Sequence, residues 1–490
     1  MLSWMVGGGD VATSAALSYR ASSMTSSSAI DRELAQLLEL GDRIVHTACD
    51  RGGPDVVAEC VLRSGTELSA KVRKGETELV EEAGTRSAGL RVIKGRRVAS
   101  TSTSDLSDRG LERFVSDALE LSDLSEEDPF AGPADPNLLC DPCTAPDLDI
   151  YDPSGGAVDA AHAIGFAQEA EGAAFAWDPR ITQSEGAVFG RVAGGVAMVL
   201  SSGFRAASKG SYQSLSVSPV AADADGKNRR GSFFTAKRHL SELDSPESVG
   251  REAARRALRK LGARSISTCE AAVVFDPDAA RAILGMMASC VLGSMIWRKS
   301  SYLFGREGTR VASELVTIVD DPLLPRGPGS RPYDGEGLLS RRNVVVDRGI
   351  LRTYLCDSYS ARKLGRQSTA SAGRGAGAGV GATTSNFVLE PGSDSNDAIV
   401  RATERGLYVT EMMGFGFNAT TGDFSRGASG CWIEKGELAH PVSEVTISLN
   451  VDELWQRIDA VGSDLDLRTS TAAPTLRVSK MTIAGGAPSA

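Results

Sequence analysis

A serine set between glycines, GASGC at 427–431, is the arrangement in this chain that comes nearest to a nucleophile. A nucleophile elbow needs G-x-S-x-G, which lifts the hydroxyl off a strained turn between strand and helix. Here the second glycine follows Ser429 directly, so the spacing falls short of that requirement. A base for it would have to come from four histidines, His46, His162, His239 and His440, which lie far apart in sequence. Triad members need not be sequence neighbours, so a self-sufficient hydrolase remains one reading of the residues. No H-x-x-x-H or H-E-x-x-H pair is present to seat zinc on one helix face. Cys140 and Cys143 form a single C-x-x-C, whereas a zinc knuckle needs four ligands and no second Cys or His pair is nearby.

The glycine-rich runs SAGRGAGAGVG (371–381) and GFGFN (414–418) invite a phosphate-binding reading. Neither is spaced as G-x-G-x-x-G between a strand and a helix, and neither offers the G-K-S/T of a P-loop. Their glycines therefore read as turns, and as places where another backbone, a bound peptide included, can come close. Asp423 and Arg426 stand three apart beside a Thr-Gly-Asp turn and read either as a local pair or as contacts to a peptide or a partner. Arg298 and Lys299 end an apolar segment, 277–297, that reads as one helix, where positive charge suits the carbonyl end. Trp297 and Trp432 read as core or interface anchors.

The elements that must position these residues follow from periodicity. An amphipathic helix is predicted from Asp31, where Leu34, Leu37, Leu38, Ile44 and Val45 recur at helical spacing. Alternating segments broken by glycine-containing turns, among them Lys94-Gly95-Arg96, predict an antiparallel meander, and a helix follows. Prolines 129, 133, 136, 142, 146 and 153, among many aspartates, mark a linker. Beyond it come a helix, a Gly/Ser/Val-rich run (181–219) predicted to form a second sheet, and a helix capped by Ser245 with a Glu247–Arg251 pair. The last part holds a strand, a helix starting at Asp276-Pro277, and short strands with glycine turns. The segments are an extension (1-30), an N-terminal α+β subdomain (31-122), the linker (123-155), a middle α+β subdomain (156-268) and a β-rich C-terminal domain (269-490). The fold class is α+β: an N-terminal α/β region with antiparallel sheets, then a β-rich C-terminal domain.

Composition narrows the function classes. A net charge of −10 and a pI near 5.2 argue against a nucleic-acid partner, which needs a basic surface to displace counterions. No run approaches the roughly 20 apolar residues of a membrane-spanning helix. Eight scattered cysteines fit a reducing cytoplasm, and the first thirty residues lack the basic start and apolar run of a secretory signal.

The residues of 414–454, GFGFNATTGDFSRGASGCWIEKGELAHPVSEVTISLNVDEL, resemble the C-terminal signature of the TldD/PmbA family, and of its PmbA (TldE) branch in particular. MIWRKSSYLFGREGTRVASELVTIVDDP (295–322), DGEGLLSRRNVVVDRGILRTYLCDSYSARKLG (334–365) and GAGAGVGATTSNFVLEPG (375–392) support the likeness, which covers most of 270–485. The resemblance implies a heterodimeric protease that encloses its active site in a cavity and accepts unfolded or short polypeptides.

TldD-type subunits of that family carry a zinc helix, H-E-x-x-x-H before an Arg-Lys, and a cysteine near the C-terminus. Aligned on Arg298-Lys299, the first His falls on Gly285, the Glu on Met286 and the second His on Cys290. The tail from Thr469 to Gly486 has no cysteine. The resemblance therefore implies a subunit with no catalytic residues and no zinc of its own, paired with a zinc-bearing TldD-type chain. Arg298, Lys299, Asp423 and Arg426 are its peptide or interface candidates. A homodimeric peptide-binding protein is the alternative from a different class, since loss of catalytic residues leaves a scaffold.

Overall fold

The structure, a computed structural model, describes residues 11–486. β1 (Val56–Arg73) and β2 (Glu76–Lys94) form one long antiparallel hairpin, turning at Lys74 (φ 54) and Gly75 (φ 79), both left-handed as a tight hairpin requires. Gly65 and Gly84, which the sequence pattern reads as breaks, lie inside these strands. Gly65 serves close approach instead: a Cβ on it would lie 3.0 Å from the Ala193 carbonyl oxygen, and one on the adjoining Gly194 would meet the Ser64 carbonyl oxygen at 2.4 Å, whereas a Cβ on Gly84 would meet nothing within 4 Å. β3 (Arg97–Thr103) follows a turn at Gly95, and β4 (Ile181–Leu200) returns along β1 from Leu200↔Glu59 to Ala187↔Val72. β5 (Arg205–Ala222) then carries both β6 (Asn228–Arg230) and β7 (Phe233–Lys237). The order is β3-β2-β1-β4-β5-β6, a single seven-stranded antiparallel sheet. The expectation of a second sheet over 181–219 is therefore corrected, because the β1–β4 ladder joins segments that the linker separates in sequence.

Two helix pairs cover the two ends of one face of this sheet. Val56, Ala58, Cys60 and Leu62 of β1 pack with Leu37 and Ile44 of α1 (Val11–Gly52) and Phe114 of α2 (Asp108–Leu124). Leu68, Ala70 and Val72, on the same side of the pleat, pack with α3 (Ala160–Trp177) and α4 (Pro246–Leu258). Small residues let the second pair approach, and a Cβ on Gly250 would lie 2.2 Å from the Ala170 carbonyl oxygen. Ser107, Asp159 and Ser245 cap α2, α3 and α4 by accepting from the N–H groups of Gly110, His162 and Ser248. Of the extension read over 1-30, residues 1–10 lie outside the described residues and 11–30 belong to α1.

One side chain straps the start of the linker to the C-terminal part three times over, beside contacts such as Tyr359 Oη to Asp128 and Cys140 N–H to Gly337 O. Arg362 donates through Nε to Phe130 O (2.7 Å), through Nη2 to Gly132 O (2.9 Å) and through Nη1 to Pro133 O (3.0 Å).

In the C-terminal part, β8 (Cys269–Phe275) leads into α5 (Pro277–Cys290) and α6 (Gly293–Trp297). Next come β9 (Ile318–Asp320), β10 (Asn343–Asp347), β11 (Ile350–Leu351) and α7 (Ser358–Lys363). The glycine-rich hairpin is β12 (Ala372–Arg374) with β13 (Val380–Ala382), and β14 (Phe387–Leu389) follows. The last strands are β15 (Arg405–Met413), β16 (Asp423–Glu434), β17 (Glu437–Asn450), β18 (Ile458–Val461), β19 (Thr471–Ala472) and β20 (Leu476–Ala484). One sheet runs β11-β10-β9-β14-β19; the other runs β17-β16-β15-β8-β20-β18, and a β17–β20 ladder closes it on itself. α5 buries Ile283, Leu284 and Met287 in the core these sheets share. The protein is thus α+β, with antiparallel and mixed sheets.

Candidate functional site

The helix that the resemblance sets against a zinc helix begins as its sequence predicts. Asp276 accepts from Ala279 N–H at 2.9 Å and Pro277 occupies the first turn, where its missing N–H costs nothing. Burial pushes the Asp276 carboxyl up to about 6, against the cap hydrogen bond and Arg259 at 3.9 Å, which favour its charge. At the positions that the resemblance aligns with the zinc helix, Gly285 offers no side chain, and a Cβ there would meet nothing within 4 Å. Met286 is a core residue, 7% exposed. Cys290 is buried with its Sγ 4.0 Å from Ala419 O, and burial pushes its thiol up, away from the thiolate a metal binds. A catalytic zinc takes three protein ligands, and this donor set does not fit one. Among the described residues no group of three or more His, Cys, Asp or Glu is placed to hold a metal ion.

The helix read over 277–297 is in fact two. Leu292 adopts extended backbone (φ −69, ψ 133) between α5 and α6, and Gly293 N–H bonds to Leu355 O at 2.7 Å. Contacts remote in sequence force the break: a Cβ on Gly293 would lie 2.6 Å from the Ser360 Cβ and 2.8 Å from the Cys356 Sγ. Arg298 and Lys299 therefore follow a five-residue helix, and the charge–dipole argument for them weakens accordingly. Both are exposed. The Arg298 guanidinium stands 4.8 Å from the Trp297 ring centroid, and Lys299, itself left-handed (φ 56), puts its ammonium 5.5 Å from that of Phe304. Trp297 packs edge-on against Tyr359, with ring centroids 5.9 Å apart.

The glycine-rich loop lies across the end of α5. Tyr302 N–H donates to Ala419 O at 2.8 Å, which ties the segment after Lys299 to the loop before Asp423. Asn418 organises that loop, its Oδ1 accepting from the N–H groups of Thr420 (3.0 Å) and Thr421 (3.3 Å). Gly414 and Gly422 both have φ of 80, and Phe415 between them is fully exposed, at 102%. Asp423 is exposed, accepting from Thr421 Oγ1 (2.6 Å) and Asn450 Nδ2 (3.4 Å). The local pairing read for Asp423 and Arg426 does not form: both sit in β16, where positions three apart face opposite sides. Arg426 is half-buried, opposite Ile447, and its Nε is enclosed without a partner.

Ser429 is a buried strand residue, and Gly430 makes a bulge where a Cβ would strike Tyr408 O at 1.8 Å, so no elbow exists there. The four histidines stay apart: His46, His162 and His239 pair with Asp50, Asp159 and Asp149, and His440 faces Trp432 across β16–β17.

Sequence reasoning passes over the buried charges where the two halves meet. Glu59 of β1 binds Arg91 Nη1 of β2 (2.9 Å) and Arg374 Nη2 of β12 (2.7 Å) through one oxygen. Burial alone would push the Glu59 carboxyl up, and the two guanidinium groups hold it below the ordinary range. Beside it, in the turn 334–338, Asp334 accepts from the N–H groups of Glu336 (2.9 Å), Leu338 (3.0 Å) and Ala372 (3.0 Å). Glu336 accepts from Ser358 N–H at 2.8 Å, and burial, with Asp334 and Asp357 near, pushes it up to about 7. A cavity of about 470 Å³ reaches Arg91, Glu336 and Tyr359. The only sequence signal was two acids in DGEG, and their burial is not a local property.

Three consecutive family profiles match the chain: PmbA/TldA metallopeptidase domain 1 over 58–122, its central domain over 153–261 and its C-terminal domain over 268–485. The chain is 37% identical to "Metalloprotease PmbA" of Escherichia coli O157:H7 over 428 residues, 87% of this chain and 92% of that one. A solved structure from Bacteroides thetaiotaomicron, described as a modulator of DNA gyrase, superposes with a TM-score of 0.85 at 27% identity, over 91% of this chain and 98% of that one. TldE from Thermococcus kodakarensis shares the fold, with a TM-score of 0.81 at 19% identity over 91% of this chain and 100% of that one.

Proposed function

The chain belongs to the PmbA/TldD metallopeptidase family, as a PmbA-type member, and on that premise we propose that it completes a zinc metalloprotease without carrying the metal. Its partner is a TldD-type chain that supplies zinc, ligands and general base, and the pair cleaves unfolded or short polypeptides in the cytoplasm. The observation that carries this reading is α5, where Gly285 and the buried Cys290 stand at the positions that the resemblance aligns with the two histidine ligands and Met286 at that of the general base. Arg298, Lys299 and Asp423, exposed on segments joined through Tyr302 and Ala419, are the contacts we assign to the substrate or the partner. Arg426 is the more enclosed member of that set.

The test is to purify the chain alone and with a TldD-type partner, then to measure zinc content and cleavage of an unfolded polypeptide. The expected result is no zinc and no cleavage by the lone chain, and chelator-sensitive cleavage by the pair. Stoichiometric zinc with chelator-sensitive cleavage by the lone chain overturns the proposal. Metal-independent cleavage by the lone chain would instead make it a hydrolase, and a stable homodimer that binds peptide without pairing would make it a binding protein.

A further inference from the structure

The long β1–β2 hairpin outruns the strand beside it. β3 pairs with β2 only from Ala88↔Thr103 to Lys94↔Arg97, so among the described residues nothing pairs with the outer edge of β2 from Glu76 to Ser87. Every residue from Glu76 to Arg86 is exposed, on both faces of the strand. Such an edge presents a row of unpaired N–H and C=O groups that another extended chain can complete. Leu79 and Val80, 47% and 38% exposed, offer one apolar side chain on each face to a strand laid alongside. At about 3.3 Å per residue, the edge accommodates a partner segment of about ten residues.

Charge selects the occupant. Glu76, Glu78, Glu81 and Glu82 crowd the outer half of this edge. Lys71 meets Glu78 at 2.5 Å and Arg191 meets Glu82 at 3.5 Å, while Glu76 and Glu81 face solvent. A basic segment added here would set Lys or Arg across from carboxylates, a favourable cross-strand pairing. A second copy of the chain meeting this half of the edge in antiparallel register would place Glu beside Glu. We propose that the outer edge of β2, Glu76–Ser87, is a β-augmentation site for an extended basic polypeptide segment, which binds as an added strand. The site is independent of the zinc-partner reading, since binding needs neither a partner subunit nor cleavage.

The experiment uses the full chain and a fluorescent twelve-residue peptide that alternates Lys with Val and Thr, with binding read by anisotropy and by hydrogen exchange over 76–87. Binding should slow exchange in this segment and weaken about tenfold or more in high salt, as exposed charges are screened. N-methylation of alternate peptide amides, which removes backbone donors without touching the protein, should abolish it. A Glu76→Lys/Glu81→Lys variant, which alters only exposed side chains, should lose the basic peptide and gain one with Glu in place of Lys. Equal binding of the N-methylated peptide, or of the basic peptide by the charge-reversed variant, overturns the proposal. So does an absence of binding, which would leave the glutamates as a guard against edge association. A dimer of the chain that the variant abolishes overturns it too, by making a second copy the occupant.

Discussion

Arg374 of the glycine-rich hairpin and Glu59 of the first strand, 315 positions apart, share a 2.7 Å ion pair in which the side chains are 3% and 2% exposed. The hairpin that resembled a phosphate loop is thus a clamp between the two halves of the protein. Arg63 reinforces it by donating to the Arg374 carbonyl at 2.7 Å, and Gly89 lets β2 approach, since a Cβ there would lie 2.5 Å from Ala376 O.

Glu59→Leu strands two buried guanidinium groups without a counter-charge, which costs about 3–5 kcal/mol. The urea midpoint should fall accordingly. Glu59→Gln keeps acceptor geometry and should lose less. A midpoint unchanged in both variants would show that the pair does not hold the halves together.

Glu336 adds a pH dependence. Its carboxyl is raised from 4.5 in the unfolded chain to about 7 in the fold, so the native state binds the proton more tightly. Its contribution to stability is complete below the unfolded value and is lost as pH rises toward the folded one. Glu336→Gln mimics the neutral acid and keeps an oxygen for Ser358 N–H. Variant and parent should therefore melt alike near pH 4, and the variant should be the more stable at about pH 8 by on the order of 3 kcal/mol, at ~1.4 kcal/mol per pKa unit. Parallel melting curves across that range would refute the assignment.

Two glycines, Gly285 of α5 and Gly293 of α6, should respond oppositely to alanine. At Gly293 a methyl group meets Ser360 and Cys356 at under 3 Å, and overpacking of this kind costs about 1–3 kcal/mol. At Gly285 it meets nothing, and the helical preference for Ala over Gly should stabilise the protein by up to ~1 kcal/mol. Chemical denaturation of Gly293→Ala and Gly285→Ala checks both signs.

For the proposed site, Arg298→Glu/Lys299→Glu changes two exposed side chains whose ring contacts among the described residues are with Trp297 and Phe304. Folding stability should move by no more than about 0.5–1 kcal/mol. Cleavage by the reconstituted pair should lose about tenfold in kcat/KM, the equivalent of ~1.4 kcal/mol of transition-state binding. A variant as active as its parent would remove these residues from the substrate path.

How much of this was legible before the fold depends on the range of the interaction. Ser245 and Asp276-Pro277 mark helix starts correctly because a cap is completed within three residues. Gly65 misleads, because a glycine reads as a turn until the strand that must approach it is known. The continuous apolar pattern over 277–297 hides the break at Leu292 for the same reason, since Leu355, Cys356 and Ser360 impose it from another part of the chain.

By itself the sequence determined the family and the residue types at 285, 286 and 290, because a signature and a side chain are carried by residue identity: no fold can make Gly285 or Met286 a histidine or a glutamate. The tertiary structure alone decided that β1 and β4 join two segments into one sheet, that Asp423 and Arg426 face apart, and that Glu59, Arg91 and Arg374 meet out of water. Register and burial arise from contacts between residues hundreds of positions apart, and a local pattern carries neither.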